Sequence, residues 1–368
     1  MKLETIRERL VESIQKAEKV TSKNATLPVL KCVLLEAKDS SLLVRSTNLD
    51  IGLEIKIPVK VQEEGSVAIP GNILSSFISQ LNNEKTVTLE SKESSLLVNS
   101  SKNSTTIKAF PTDDYPTIPK VDEDTSKSFK ISSTSLVSGL KAVWYSSATS
   151  TIKPELSSVR MYPLDGNLVF VATDGFRLAE KRIQSKNLPE FVHVLIPVRN
   201  ASEIIRIFEG VDEEITVYID DNQIAVVSSD IYLVSRTIEG NFPDYKAIIP
   251  KEFVTEAVIL KQDLSNALKI STIFSDSFFH VKFLVNPNDK KLQITTKNNE
   301  VGESSTNISA ALTGQDMDIN FNYRYINDAM VSLNSDSLDF KFSGNNKPLV
   351  IKPVSDSSFT YLVMPMNR

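Results

Sequence analysis

Two spacings of apolar residues recur along this chain, one helical and one alternating. The helical one is clearest at residues 194–208, VLIPVRNASEIIRIF. An apolar run leads into Pro197, and Ile204, Ile205 and Phe208 then fall at i, i+1 and i+4. That spacing marks one face of a helix. The stretch is repeated: residues 67–81, VAIPGNILSSFISQL, bring Ile69 and Pro70 onto Ile196 and Pro197 at an offset of 127 residues. Phe77, Ile78 and Leu81 then match Ile204, Ile205 and Phe208. A fainter third copy, residues 319–333, INFNYRYINDAMVSL, has Phe321 and Asn322 at the Ile-Pro position and Ala329, Met330 and Leu333 at the apolar ones. Each copy predicts a short strand entering a helix. Pro70 and Pro197 suit the first helical turn, where an N–H has no intrahelical partner. A period of about 125 residues is too long for a solenoid and right for a domain. The chain reads as one domain written three times, with bounds at 1–124, 125–250 and 251–368.

The rest of the pattern fills in each unit. Residues 5–19 set Ile6, Leu10, Val11 and Ile14 on one face, with Arg7, Arg9, Lys16 and Lys19 largely off it, which predicts a helix. Alternation predicts strands at 30–36, 41–46 and 51–59, and after the first Ile-Pro copy at 86–89, Ser95–Asn99 and 105–110. Residues 110–127, opening with FPTDDYPTIP, read as a linker. The second unit repeats the plan, with a strand at 129–131, a helix at 133–146 and strands at 159–163, 168–173 and Arg177–Gln184. Its Ile-Pro helix is followed by strands at 215–219, 223–228 and 232–238, and it closes on NFPDYKAIIP, an echo of the first linker. The third unit has a helix at Lys261–Ile273 and strands at 279–285, 291–296 and 304–312. The third helix copy and strands at 337–343, 349–354 and 360–364 complete it. One-faced helices and alternating strands pack as a helix pair on antiparallel sheet. The fold class is therefore α+β, three similar domains.

Composition narrows the function. With 41% hydrophobic and 24% charged residues the chain can build ordinary cores. Cys32 is its one cysteine, so there is no disulfide framework or cysteine metal site. No apolar run approaches the ~18 residues of a membrane span, and the MKLETIRERL start is amphipathic, unlike a signal peptide. A cytoplasmic protein is expected. The net charge of −5 is spread over the three units as about −2, −2 and −1, so no unit is a basic nucleic-acid-binding module. Sorting by element changes the picture. The expected helices hold ten Lys or Arg and six Asp or Glu, which leaves about −9 on the rest of the chain. Were the helices to line one surface, it would be mildly positive within an acidic shell.

Nothing is spaced for catalysis. His193 and His280 stand 87 residues apart in apolar strand sequence and read as structural. Cys32 alternates with Leu30 and Leu34 and reads as core. Asp174 in ATDGFR reads as turn chemistry. No phosphate loop or nucleophile–base spacing is present.

Four motifs, in order, carry a specific resemblance: TLPVLKCVLLEA at 26–37, ATDGFRLA at 172–179, FPDY at 242–245 and YLVMPM at 361–366. Over its whole length the chain resembles the bacterial DNA polymerase III beta subunit family, the replicative sliding clamps. The resemblance implies three similar domains per chain, with two chains closed head to tail into a ring. Helices would line the hole and sheets would form the outer wall. It further implies a homodimer that encircles double-stranded DNA without sequence preference and tethers the polymerase, with no catalytic site and no cofactor. A topological link of this kind does not need tight phosphate binding, which would be steeply salt-dependent; the weakly positive helices agree. The implied DNA contacts are Lys23, Asn24, Lys153 and Arg199, with Asn24 standing where the family commonly has a basic residue. The implied dimer contacts are Thr105 and Ile107 against Ile273 and Phe274.

The resemblance also implies a groove for short peptides of the DNA polymerase III alpha subunit, the clamp loader, other polymerases and repair proteins. One wall would come from Leu156, Thr173, Gly175, Phe176, Arg177 and Leu178. A second would come from Pro243, Ala247, Ile248 and Phe278, with Asn322, Tyr325 and Pro348 beyond. The tail, Val363, Met364, Pro365 and Met366, would complete it. Methionines suit a site that accepts several ligands, and Arg177 would offer donors to a peptide carbonyl or acid.

Overall fold

A computed structural model describes residues 1–22 and 27–366. In the first repeat β1 (Lys2–Ile6) enters α1 (Arg7–Val20), and β2 (Cys32–Lys38), β3 (Ser41–Thr47) and β4 (Ile51–Pro58) follow. After an extra strand, β5 (Lys60–Glu63), β6 (Gly65–Pro70) enters α2 (Gly71–Gln80), followed by β7 (Thr86–Lys92), β8 (Ser95–Asn99) and β9 (Ser104–Lys108). The second repeat opens with β10 (Lys127–Ser132), α3 (Ser133–Val143), β11 (Ser158–Leu164), β12 (Asn167–Thr173) and β13 (Arg177–Gln184). Its second half is β14 (Val194–Pro197), α4 (Val198–Phe208), β15 (Glu214–Ile219), β16 (Gln223–Val227) and β17 (Ile231–Arg236). The third repeat has β18 (Thr255–Leu260), α5 (Lys261–Ile273), β19 (His280–Asn286), β20 (Lys291–Asn298) and β21 (Gly302–Ile308). An extra strand, β22 (Ala310–Gly314), precedes β23 (Met317–Asn322), α6 (Tyr323–Ala329), β24 (Ser337–Phe342), β25 (Leu349–Pro353) and β26 (Phe359–Val363). A strand, a helix and three strands thus occur in that order six times.

The chain forms two compact units, residues 1–137 with 199–237, and residues 138–198 with 238–368. The division passes through the second repeat. The first unit holds an eight-stranded sheet, β10-β15-β16-β17-β4-β3-β2-β6, and a five-stranded one, β5-β1-β7-β8-β9. The second holds a nine-stranded sheet, β14-β11-β12-β13-β26-β25-β24-β18-β22, and a four-stranded one, β21-β20-β19-β23.

Beside the hairpins between successive strands and the two extra strands on β1 and β18, two pairing rules build these sheets. The lead strand of each half crosses to the other half of its own repeat: β1 pairs β7 and β6 pairs β2, β10 pairs β15 and β14 pairs β11, β18 pairs β24 and β23 pairs β19. The last strand of one repeat pairs antiparallel with the third strand after the first helix of the repeat before it, β17 with β4 and β26 with β13. By that rule β9 and β21 should each have a partner, yet both stand at sheet edges.

α1 lies against α2 and α5 against α6, each pair bridged by a cation from the start of its first helix. The guanidinium of Arg7, first residue of α1, donates to the carbonyls of Ile78 (3.2 Å) and Ser79 (2.9 Å) in α2. Lys261, first residue of α5, donates to the carbonyl of Leu333 just past α6 (2.8 Å). The Arg7 bonds satisfy helix-end carbonyls that have no intrahelical donor.

Some expected elements shift. Residues 2–6 form a strand where a helix was expected to begin at 5, because no breaker separates the Leu3–Thr5 alternation from the helical pattern. Pro70 and Pro197 end β6 and β14 rather than opening the helices; both strands are sheet edges, where a missing N–H costs no ladder bond. The third helix copy stops at Ala329, with Met330 and Leu333 buried in the turn that follows. Residues 304–312 split into β21 and β22. The 110–127 stretch is no loose linker. Ile118 and Val121 pack on Ala225 and Val234, and the Tyr115 hydroxyl donates to the carbonyls of Cys32 (3.3 Å) and Arg45 (3.2 Å). His280 opens β19 half-exposed, its Nδ1 2.5 Å from Asp276 Oδ2, rather than sitting in the core.

Candidate functional site

The ATDGFRL stretch is a tight turn between β12 and β13. Thr173 Oγ1 donates to the carbonyl of Arg177 (2.6 Å) and accepts from Gly175 N–H (3.1 Å). Asp174 Oδ1 accepts from the N–H groups of Phe176 (2.9 Å) and Arg177 (3.0 Å). Gly175 adopts φ +90°, which a residue with a Cβ rarely tolerates, and open space lies around it. The side chain of Phe176 is left 62% exposed. Asp174 is thus spent on the turn.

Arg177, expected to offer donors to a ligand, is also bonded within the protein. Its Nε donates to Asp174 Oδ2 (3.0 Å) and its Nη1 to Asp328 Oδ2 on α6 (2.6 Å). Its guanidinium lies over the ring of Tyr325 at 4.6 Å. Burial works against its charge, but Tyr361, Asp328 and Asp174 outweigh burial and raise its pKa. Arg177 is a brace between the turn and α6. Sequence reasoning missed Asp328, whose separation of 151 residues from Arg177 leaves no local signal.

The tail is tacked at both ends. β26 pairs with β13, Val363 opposite Arg177, and Met364 N–H then donates to the carbonyl of Phe176 (2.8 Å). Met366 N–H donates to the carbonyl of Asn320 (2.8 Å). Leu362 and Val363 are core, whereas Met364, Pro365 and Met366 are half-buried. Of the residues expected to touch a ligand, Thr173, Leu178 and Val363 are buried and shape the site from beneath.

The FPDY stretch builds the facing wall. Tyr245 opens a short 3-10 turn, Tyr245–Ala247, and is itself 1% exposed. Phe242, Tyr245, Leu178 and Leu362 share one apolar cluster, against which Met364 packs. Pro243, Ala247 and Ile248 are left on the surface. Phe278, 65% exposed, lies against His280 with ring centroids 5.8 Å apart and tilted by 44°, and His280 pairs across the sheet with Asn322. Leu156 and Pro348 are half-buried, in the loop before β11 and the loop before β25.

Other expected sites are less compact. Arg199 on α4 and Lys153 are exposed, while Lys23 and Asn24 lie outside the described residues. The six helices carry ten Lys or Arg and six Asp or Glu. Thr105 and Ile107 sit on edge strand β9, but Ile107 is 5% exposed and packs into its own unit, so that strand offers a backbone edge rather than that side chain. Ile273 is 64% exposed, and Phe274 lies half-buried beside Gly302 of β21. Among the described residues no cluster of three or more His, Cys, Asp or Glu is placed to hold a metal, and no helix is long and apolar enough to cross a membrane.

Repeated α+β domains, each strand–helix–three-strand unit occurring in pairs, define a clamp-fold protein. Models of the DNA polymerase III beta subunit match in succession: its N-terminal domain at residues 1–119, its central domain at 130–244 and its C-terminal domain at 246–367. The chain belongs to the DNA polymerase III beta subunit family, and its role is that of a sliding clamp in DNA replication, a processivity factor rather than an enzyme. It is 26% identical to the beta sliding clamp of Synechococcus elongatus over 100% of this chain and 99% of that one. It is 25% identical to that of Staphylococcus epidermidis over 98% and 97%. Among solved structures, the Thermotoga maritima beta subunit superposes with a TM-score of 0.93 at 24% identity, covering 100% of this chain and 99% of that one. The Pseudomonas aeruginosa sliding clamp bound to griselimycin gives 0.93 at 24%, covering 100% of both. At that identity the structural likeness shows the fold.

Proposed function

We propose that two copies of this chain close head to tail around double-stranded DNA and carry partner proteins by short peptides held in the Phe176–Met364 groove. The observation that carries the assembly is the unfinished pairing rule. The last strand of a repeat joins the third strand after the first helix of the repeat before it, twice within the chain. The remaining last strand is β9 and the remaining strand of the second kind is β21, and both are edges. Pairing β9 of one copy with β21 of another joins five strands to four, a sheet of the same size as the nine-stranded one in the second unit. Bare edges invite such pairing, and the contact closes because it is repeated by two-fold symmetry. Three domains per chain, near 1–124, 125–250 and 251–368, make six per assembly.

The helix charge supports a DNA-facing lining. Ten cations against six anions on the helices attract a duplex weakly, and the remaining chain is acidic. Lys23, Asn24, Lys153 and Arg199 are the proposed contacts. The groove suits Leu or Phe anchors from the polymerase alpha subunit, the clamp loader and repair proteins, since its exposed apolar members include Phe176, Pro243, Ile248 and Phe278, with half-buried methionines beside them. The cytoplasm is the proposed location.

Replacing Ile273 and Phe274 together with Glu tests the assembly. Monomers in sedimentation are the expected result; an intact dimer places the contact elsewhere.

A further inference from the structure

We infer that Tyr245 and Glu180 are positioning residues of the groove, a buried hydrogen-bonded prop that holds the 243–248 wall off β13 and keeps the groove open. The inference rests on the groove being the partner-peptide site.

The chain of bonds is short and complete. Tyr162 and Tyr245 share a hydrogen bond of 2.6 Å between their hydroxyls, and Tyr245 donates to Glu180 Oε2 at 2.5 Å. Arg182 Nε donates to the other oxygen, Glu180 Oε1, at 2.8 Å. Glu180 is 3% exposed and Tyr245 1%. A carboxylate buried this far costs stability unless each oxygen finds a donor, and here each does. Burial, then Glu180 and Tyr162, raise the Tyr245 pKa, so the phenol remains a neutral donor. Glu180 lies on β13, the strand that carries Arg177 and Leu178. Tyr245 lies on the turn that exposes Pro243, Ala247 and Ile248. The bond therefore links the two walls.

The first repeat supplies the contrast. The turn between β3 and β4 copies the turn between β12 and β13 bond for bond. Thr47 Oγ1 donates to the carbonyl of Ile51 (2.9 Å) and accepts from Leu49 N–H (3.0 Å). Asn48 Oδ1 accepts from the N–H groups of Asp50 (3.0 Å) and Ile51 (2.9 Å). Arg236 N–H donates to the carbonyl of Asp50 (2.8 Å), as Met364 N–H does to that of Phe176. The strand that follows differs. Gly52, opposite Val234, stands where Leu178, opposite Leu362, stands in the groove. Ile118 falls in on Gly52 so closely that a Cβ there would lie 2.7 Å from it. Tyr115 bonds to backbone carbonyls, and Glu54, at the place of Glu180, is taken by Arg45 and Lys120. The same turn without the tyrosine–carboxylate prop has its following segment lying flat on the strand.

The test measures binding of a labelled synthetic peptide carrying a Leu-Phe pair to the full-length protein, alongside melting temperature and sedimentation. Tyr245→Phe keeps the ring and removes the prop. We expect peptide affinity to fall by about tenfold with the dimer unchanged. Glu180→Leu cuts the same link from the other side and should match it. Glu180→Gln can still accept from Arg182 and donate to the Tyr245 oxygen, so it should stay within about twofold of wild type. Lower melting temperatures with wild-type affinity in both Tyr245→Phe and Glu180→Leu overturn the inference and leave a core network only. No binding by the wild-type protein overturns the groove reading itself, and the inference with it.

Discussion

Arg177 Nη1 lies 2.6 Å from Asp328 Oδ2, which ties the first wall of the groove to α6. The same guanidinium holds Asp174 and covers Tyr325, so one side chain fixes the turn against α6. Asp328→Asn weakens a charge-assisted bond worth about 1.5–3 kcal/mol. Peptide affinity should drop several-fold while the dimer persists. Arg177→Lys should lose more, because one ammonium cannot bond two carboxylates in that geometry and cover a ring. Titration calorimetry of the two variants checks the order; equal affinity to wild type in both sinks the brace.

Removing residues 364–368 deletes the Met364 and Met366 backbone bonds but leaves β26 paired with β13 and β25. The truncated protein should melt close to wild type, remain dimeric, lose binding of a Gln-x-x-Leu-Phe-type peptide, and load poorly, as the proposed sharing of one groove by loader and polymerase requires. Wild-type peptide affinity after truncation puts the partner site elsewhere.

Two glycines should respond for different reasons. Gly175→Ala meets no atom within 4 Å, so its cost comes from φ +90° alone, about 1 kcal/mol of stability, with weaker peptide binding as the turn shifts. Gly139→Ala places a Cβ 2.3 Å from the Phe170 ring and should cost about 1–3 kcal/mol or more through overpacking. Urea denaturation of both variants measures the difference, and a costless Gly139→Ala contradicts the packing described.

Burial pushes the Cys32 thiol up to about 11. An unfolded thiol titrates near about 8.5, so the folded state holds its proton longer. The resulting stability is complete below the unfolded value and is lost as pH climbs to the folded one. Unfolding free energy should therefore fall as pH rises from about 8.5 to about 11, and Cys32→Ala should flatten the start of that fall. At neutral pH a thiol reagent should label Cys32 only in the unfolded chain.

The sequence was most legible where a pattern was long and local. Arg177–Gln184 and Lys261–Ile273 form as expected from alternation and from helical spacing. Two of the six short strands before a helix were not legible: Lys2–Ile6 and Thr255–Leu260 alternate for too few residues before the helical period takes over. In the groove, ATDGFRL and the terminal YLVMPM stood out as motifs, but the work of Arg177 did not, because its partner Asp328 lies on another repeat. FPDY was visible too, whereas the bond from Tyr245 to Glu180 spans 65 residues. Ile107 shows the opposite limit, since a strand's period does not tell which of its faces meets its own core.

The central claim is a topological hold on DNA, so the most direct measurement is retention on a circle before and after it is cut. Protein loaded onto nicked circular duplex should stay bound through a high-salt wash that strips electrostatic binders, and should leave once a restriction enzyme makes the circle linear. Equal retention on circular and linear DNA, or loss from both in salt, contradicts encirclement.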